Sequence, residues 1–377
     1  MENLVFKENT QAFTLGTELE LQLIDRKSLQ LTPAAPALLE ALDHPQLTRE
    51  LFQSMLEVVS GVCSNAREAR ADIEKSLHAI EAYTGKNNLF LSSTGNHPGA
   101  DYNDRIVTDS PRYHYLIDRN KWLTRRTAVF GLHVHIGMRN GDECIAFANF
   151  MLRQLPMLIA LSASSPFWRG HDTGLATSRP TVYEAIPTCG LPYLARDWDE
   201  FALRYRQLIE VKSIGSMKDL WWDLRPSPGY GTLEIRICDG PATLAEMEAL
   251  IAFLHLLALW YNDHRVTFDA QHPVIPERWI LRENKWRSVR HGLDALFVEE
   301  HSISNIPIRD YIRRWLEELK PYAENLDYGA SMEWLERILK NGNSSDRQRR
   351  VWQESGDLNA VVRHNIDEYY LREPIWS

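Results

Sequence analysis

Three short patterns carry the residue types that do chemistry: Glu18-Leu19-Glu20, His133-Val134-His135 and Glu234-Ile235-Arg236. Each sits in an apolar stretch with a period of two, the mark of a strand. On a strand, residues i and i+2 project from one face. Each pair therefore offers two polar groups to one surface, while Leu19, Val134 and Ile235 face the other way. Glu57 lies in a fourth strand-like segment, SMLEVVS, with Gln53 and Glu50 just upstream. Taken singly, such pairs are a solvated face, a hydrogen-bonded core pair or a surface ion pair. Gathered on central strands they would repel one another, because buried carboxylates are costly unless paired or metal-bound. Carboxylate oxygens suit Mg²⁺ or Mn²⁺, whereas zinc favours more His or Cys. The surplus of acids over one ion's needs points to two or three ions. Clustered divalent ions beside arginines equip a site for phosphoryl transfer. The candidate arginines are Arg236, Arg225, Arg179 and Arg287. The chain has no GxxxxGK[ST] loop, no GxGxxG between strand and helix, no GxSxG and no kinase motif set. A nucleotide would thus be held by metals and arginines on a sheet.

The elements that must position these groups follow from periodicity. Strands are expected within 12–24, 47–62, 88–94, 129–138, 218–224 and 231–238. Helical spacing covers 65–84, 112–126, 142–162 with a kink at Pro156, and 198–209. Thr243 followed by Glu246 is a capping box that opens an apolar helix to about Asn262. Segments 277–298, 307–324, 331–341 and 357–370 alternate apolar and charged faces. Residues 164–197 are rich in Pro and Gly but carry Phe167, Trp168, Tyr183 and Tyr193. A structured loop of that length is a candidate lid over the site. The fold class expected is α+β, one domain over 1–377, with a helical last third.

The chain has 377 residues, 51 acidic and 42 basic, for a net charge of −9. That balance argues against binding along a nucleic-acid backbone, which needs a cationic surplus. Four scattered cysteines without a CxxC speak against a disulfide framework and for reduced thiols in the cytoplasm. MENLVFKENT has no apolar leader segment, and the apolar run Ala249–Tyr261 is too short to span a bilayer. Neither nucleic acid nor membrane is an expected partner.

FTLGTELELQL, SMLEVVSGVC, FGLHVHIGM, SPFWRGHDTG, DLRPSPGYGTLEIRICD and ENKWRSVRHGLDA, in that order, resemble the YbdK-like carboxylate–amine ligases, also called type 2 glutamate–cysteine ligases. The resemblance spans about residues 11–300 and leaves 301–377 as a variable helical tail. It implies a glutamine synthetase-like fold, an antiparallel sheet forming a funnel with helices on its outer face. It implies ATP-dependent phosphorylation of a carboxylate, glutamate's by the family's name, and attack by an amine to give an amide. By this resemblance Glu18, Glu20, Glu57 and Glu234 are metal ligands, and Glu50 occupies the place of a further acid in some relatives. His133 and His135 lie near metal or nucleotide phosphates, with His135 also a candidate ligand. Arg236 contacts phosphate, and Arg179 and Arg225 contact substrate or phosphate. Arg236, Glu57 and Arg225 are thus the catalytic candidates. His133, His135, Arg236, Arg179 and Arg287 are the candidates for nucleotide. The expected partners are ATP, a small acid such as glutamate, and an amine that these motifs do not fix; relatives suggest a homodimer. Two other readings stay open, a guanidino-type phosphotransferase on the same fold and a non-catalytic metal or nucleotide sensor.

Overall fold

The computed structural model describes residues 4–273 and 275–376. The first three residues of the N-terminal stretch considered above lie outside them. Seven strands form one antiparallel sheet: β1 (Leu15–Asp25), β2 (Leu47–Arg49), β3 (Met55–Val59), β4 (Leu89–Ser92), β5 (Leu132–Gly137), β6 (Leu224–Ser227) and β7 (Thr232–Ile235). The order is β6-β7-β5-β1-β3-β2, and β4 pairs with the far half of β1. The register sets Glu18 opposite His133, Glu20 opposite Glu57, Glu234 opposite His135 and Arg225 opposite Glu234. Directly opposed residues share a face, so every pair in the sequence pattern opens onto the same side of the sheet.

The other face is apolar for the same reason. Leu19, Leu21, Leu56, Val58, Leu132, Val134, Leu233 and Ile235 are fully buried there. They pack beneath α1 (Ala66–Lys86), α2 (Gly141–Ser162) and α4 (Leu244–Gln271). Asn65, Asn140 and Thr243 cap these helices by accepting from the N–H three residues on. Between α2 and α4 runs α3 (Trp198–Glu210). Pro156 sits inside α2 without ending it. The helix starting at Thr243 runs past Asn262 to Gln271. By length and composition α2 and α4 could cross a membrane, but 89% and 83% of their apolar windows are buried inside the protein.

The helix expected over 112–126 breaks at Lys121, whose φ of 51° separates Pro111–Asn120 from Trp122–Arg125. The segment 218–224 is a 3-10 turn and a two-residue strand before β6 begins. The segment 277–298 is α5 (Arg278–His291) followed by a small hairpin, Leu296–Val298 with Asn305–Pro307. The tail holds α6 (Ile308–Asn325), α7 (Gly329–Asn341), α8 (Ser344–Ser355) and α9 (Leu358–Leu371). Of these, α8 has no apolar period to reveal it, since it buries Ser344, Ser345, Arg347 and Gln348. Far from an appendage, the tail packs on α4 and shares its core.

Candidate active site

The polar face of the sheet floors a cavity of about 740 Å³. Glu18, Glu20, Glu50, Glu57, His133, His135, Arg179, Arg225, Glu234 and Arg236 all line it. Glu18 is central. His133 Nδ1 lies 3.0 Å from its Oε2 and His135 Nε2 lies 3.2 Å from its Oε1. Burial raises the Glu18 pKa, but these two contacts outweigh it and hold the carboxyl well below the usual range. Burial, reinforced by the Arg236 charge, lowers the His133 pKa. Neutral His133 that donates from Nδ1 to Glu18 presents a bare Nε2, which faces Glu20 Oε1 at 3.9 Å. His135 is raised despite burial by Glu234 and Glu18, and Thr232 Oγ1 fixes its other nitrogen at 2.9 Å.

Charge divides the cavity along the sheet. At the β6–β7 end, Arg225 grips Glu234 with Nε at 2.8 Å and Nη2 at 3.0 Å, Ser227 adds a bond at 3.1 Å, and Arg236 completes the set. The two guanidinium groups overcome burial and hold Glu234 far below the usual carboxylate range. At the β3 end, Glu50 is pushed up to about 8 by burial and then by Glu20. Glu57 is raised well above the usual value by burial and by Glu50, Glu18 and Glu20. Glu50 takes one bond, from the Leu51 N–H at 3.2 Å. These acids repel one another and favour protonation, a repulsion that a bound cation would relieve.

Among the described residues, two groups bring their ligand atoms within 4.8 Å of one another: Glu18 with His133 and Glu234, and Glu20 with Glu57 and His133. The second set is the better candidate for a cation. Glu234 already spends its oxygens on two arginines and Ser227, whereas Glu20 gives only Oε2 to the Gly131 N–H at 2.5 Å. Two carboxylates and one imidazole suit Mg²⁺ or Mn²⁺. His133, rather than His135, is the histidine in both sets. Glu50 is in neither, though it lies close enough to Glu20 and Glu18 to feel both charges.

Arg179 comes from the segment expected as a lid, and that segment is largely a wall. Ser164 N, Ser165 Oγ and Thr177 Oγ1 donate to the buried Asp239 at 2.9, 2.7 and 2.8 Å. Residues 176–180 are buried around this knot, so the stretch that carries Arg179 packs into the protein. Arg179 reaches His133 Nε2 at 3.4 Å and the carbonyls of Arg236 and Ile237 at 3.2 and 3.3 Å. Gly131 leaves the room for it, because a Cβ there would overlap the Arg179 guanidinium. Gly131→Ala is therefore expected to displace Arg179 and lower turnover by about 10²-fold, with a far-ultraviolet circular dichroism spectrum that overlays wild type.

Arg287 does not join the site. It lies on the outer side of α5, bonded to Glu283 at 2.7 Å and Asn305 at 2.6 Å, and is absent from the cavity wall. A cationic residue in a motif says nothing about which way its helix turns. Lys285, two positions earlier, falls on the buried stripe with Leu281 and Val289. That i, i+4 spacing was the signal that could have singled it out. Tyr113 was also missed. It roofs the acidic end, with its hydroxyl on the Arg49 carbonyl at 2.8 Å.

The family model described as glutamate–cysteine ligase family 2 matches residues 14–364. The chain belongs to that family. A relative from Bdellovibrio bacteriovorus named "Putative glutamate–cysteine ligase 2" is 41% identical over 95% of this chain and 94% of its own. One of the same name from Gloeobacter violaceus is 37% identical over 94% and 96%. Two solved structures share the fold at low identity. Glutamate–cysteine ligase from Francisella tularensis, in complex with AMP, has a TM-score of 0.69 at 13% identity over 98% of this chain and 91% of that one. A bifunctional glutathione synthetase from Pasteurella multocida has 0.68 at 15% over 96% and 52%. The glutamine synthetase-like sheet with helices on its outer face is thus the fold of this glutamate–cysteine ligase family 2 member. The match runs well past residue 300, so most of the helical tail is family sequence.

Proposed function

We propose that the chain is an ATP-dependent carboxylate–amine ligase working through an acyl phosphate. The observation that carries this reading is the charge-divided cavity, with Arg179, Arg225 and Arg236 at one end and Glu20, Glu50 and Glu57 at the other. A carboxylate is a poor electrophile, since its leaving group would be oxide. In the first step an oxygen of the acid, glutamate in this reading, attacks the γ-phosphorus of ATP and ADP departs. In the second, the amine nitrogen adds to the acyl carbon, loses a proton and expels inorganic phosphate. Arg236 holds the transferred phosphoryl group by charge-assisted hydrogen bonds, and burial strengthens that grip. Burial opposes its charge, but Glu234, Glu18 and Glu20 together outweigh burial and raise its pKa above the ordinary value, so it stays charged. Arg179 and Arg225 flank it. Glu20, Glu57 and His133 would hold a divalent cation, with Glu18 beside them. Such ions, when bound, supply neutralisation of the repulsion between carboxylate and triphosphate.

The reading sets the enzyme in the cytoplasm, where ATP is at hand and its four free thiols stay reduced. Hydroxylamine is the amine that tests it, because it traps an acyl phosphate whatever the natural amine. Protein, ATP, Mg²⁺, glutamate and hydroxylamine are expected to give a hydroxamate with equimolar ADP and phosphate, read by mass spectrometry. A phosphorylated amine in place of the hydroxamate would make the chain a phosphotransferase. ATP binding without turnover for any acid would make it a sensor.

A further inference from the structure

Behind the arginines lies a chain of buried polar groups that the reaction itself does not use. Lys285 is 7% exposed and bonds both Asp223 Oδ2 and Glu184. Asp223 is 0% exposed, and its other oxygen accepts from the Tyr183 hydroxyl at 3.0 Å. The Tyr183 ring lines the cavity and carries the Arg179 guanidinium 5.3 Å from its centre. The Asp223 backbone is fixed as well, its N–H to Gly190 O at 2.9 Å and its carbonyl to the Arg236 N–H at 2.8 Å. One buried carboxylate is therefore tied to both arginines, to Arg236 through the main chain and to Arg179 through an aromatic ring. A buried lysine–carboxylate pair adds little net stability over apolar residues of the same shape. What this pair adds is a fixed ring under a guanidinium whose Nε is buried without a partner. Attraction to Asp223 and Glu184 outweighs burial and keeps Lys285 protonated.

We infer that Tyr183, Asp223 and Lys285 are positioning residues that aim Arg179 and Arg236 at the phosphate groups of the bound nucleotide. The inference rests on the ligase reading above. It is tested on the full-length chain in the hydroxylamine assay, with ATP and hydroxylamine varied separately. Tyr183→Phe deletes one oxygen and keeps the ring. It is expected to lower kcat/KM for ATP by about tenfold, through a raised KM for ATP, while KM for hydroxylamine stays put. Partial unfolding would lower kcat and move neither KM. Tyr183→Leu, which also removes the ring, is expected to lose more, and Lys285→Arg less than Lys285→Met. If Lys285→Met does not fold, Tyr183→Phe decides. Active wild type with an unchanged KM for ATP in Tyr183→Phe overturns the inference alone. Wild type that forms no hydroxamate overturns the ligase reading and this inference with it.

Discussion

Glu18→Gln is expected to remove turnover on the order of a thousandfold while leaving the fold intact. The carboxylate is the hub of the polar face, bridging His133 and His135 from β1 to β5. Glutamine keeps its volume and one carbonyl oxygen, but not the charge that both imidazoles hold in place. Charge stabilisation by bound divalent ions is worth several kcal/mol, and each roughly 1.4 kcal/mol is a factor of ten in rate. Stability should not suffer in proportion. The Glu18 charge raises the pKa of both Glu50 and Glu57, so its removal relieves repulsion at the acidic end. Losing the His133 and His135 contacts that hold Glu18 ionised works the other way, so the variant should melt within about 2 °C of wild type, since changes of a fraction of a kcal/mol move a domain this large only slightly. Calorimetric titration with Mn²⁺ should show weaker binding. Wild-type turnover in this variant would take Glu18 out of the site altogether.

The geometry of that hub was legible because a sheet has a period of two. Once Glu18, His133 and Glu234 lie on central strands, their i+2 neighbours have no choice of face, and antiparallel pairing brings the rows together. Glu50 came into the set only through the resemblance, because it stands outside a strand and no alternation aims its side chain. Helix faces were harder. Arg287 and Lys285 are both cations in one motif, and only the buried stripe of α5 tells them apart. The segment 164–197 was read from its prolines and glycines, which mark irregular backbone but not what its other residues touch. Among them Ser164, Ser165 and Thr177 are the donors that satisfy buried Asp239. Composition cannot distinguish a polar residue that meets water from one that meets a distant carboxylate. The same ambiguity hid α8, whose polar run is buried against acids more than 20 residues away in one direction and 100 in the other.

That buried run yields the largest expected change in stability, from Arg347→Met. Arg347 is completely buried and joins three helices. Its Nη2 lies 2.8 Å from Glu246 Oε1, in the first turn of α4, and 3.2 Å from Glu368 Oε2 on α9, while Nε stands 2.5 Å from Glu368 Oε1. Methionine fills much of the volume but leaves two buried carboxylates facing each other, with His364, 3.4 Å from Glu368, left to offer a counter-charge when protonated. Breaking a buried pair this way costs about 3–5 kcal/mol, a fall in Tm of about 5 °C for a chain of this length. The deficit has a sign in pH. Burial raises Glu246 even with Arg347 beside it, and at Glu368 burial is opposed chiefly by Arg347, so losing the guanidinium is expected to shift both acids upward, and protonation then relieves the variant. The difference from wild type should shrink as the pH falls from about 7 to about 5. Adding Glu246→Gln and Glu368→Gln to the variant should restore part of the loss, which a simple packing defect at position 347 would not allow. The damage should also reach the site. Gln348, the next residue, donates to the Ser164 carbonyl at 2.8 Å, at the start of the wall that carries Arg179. Arg347→Met is therefore expected to lose hydroxamate formation at temperatures below its own melting transition. Activity that follows the melt alone would show that the tail supports the core without holding the wall.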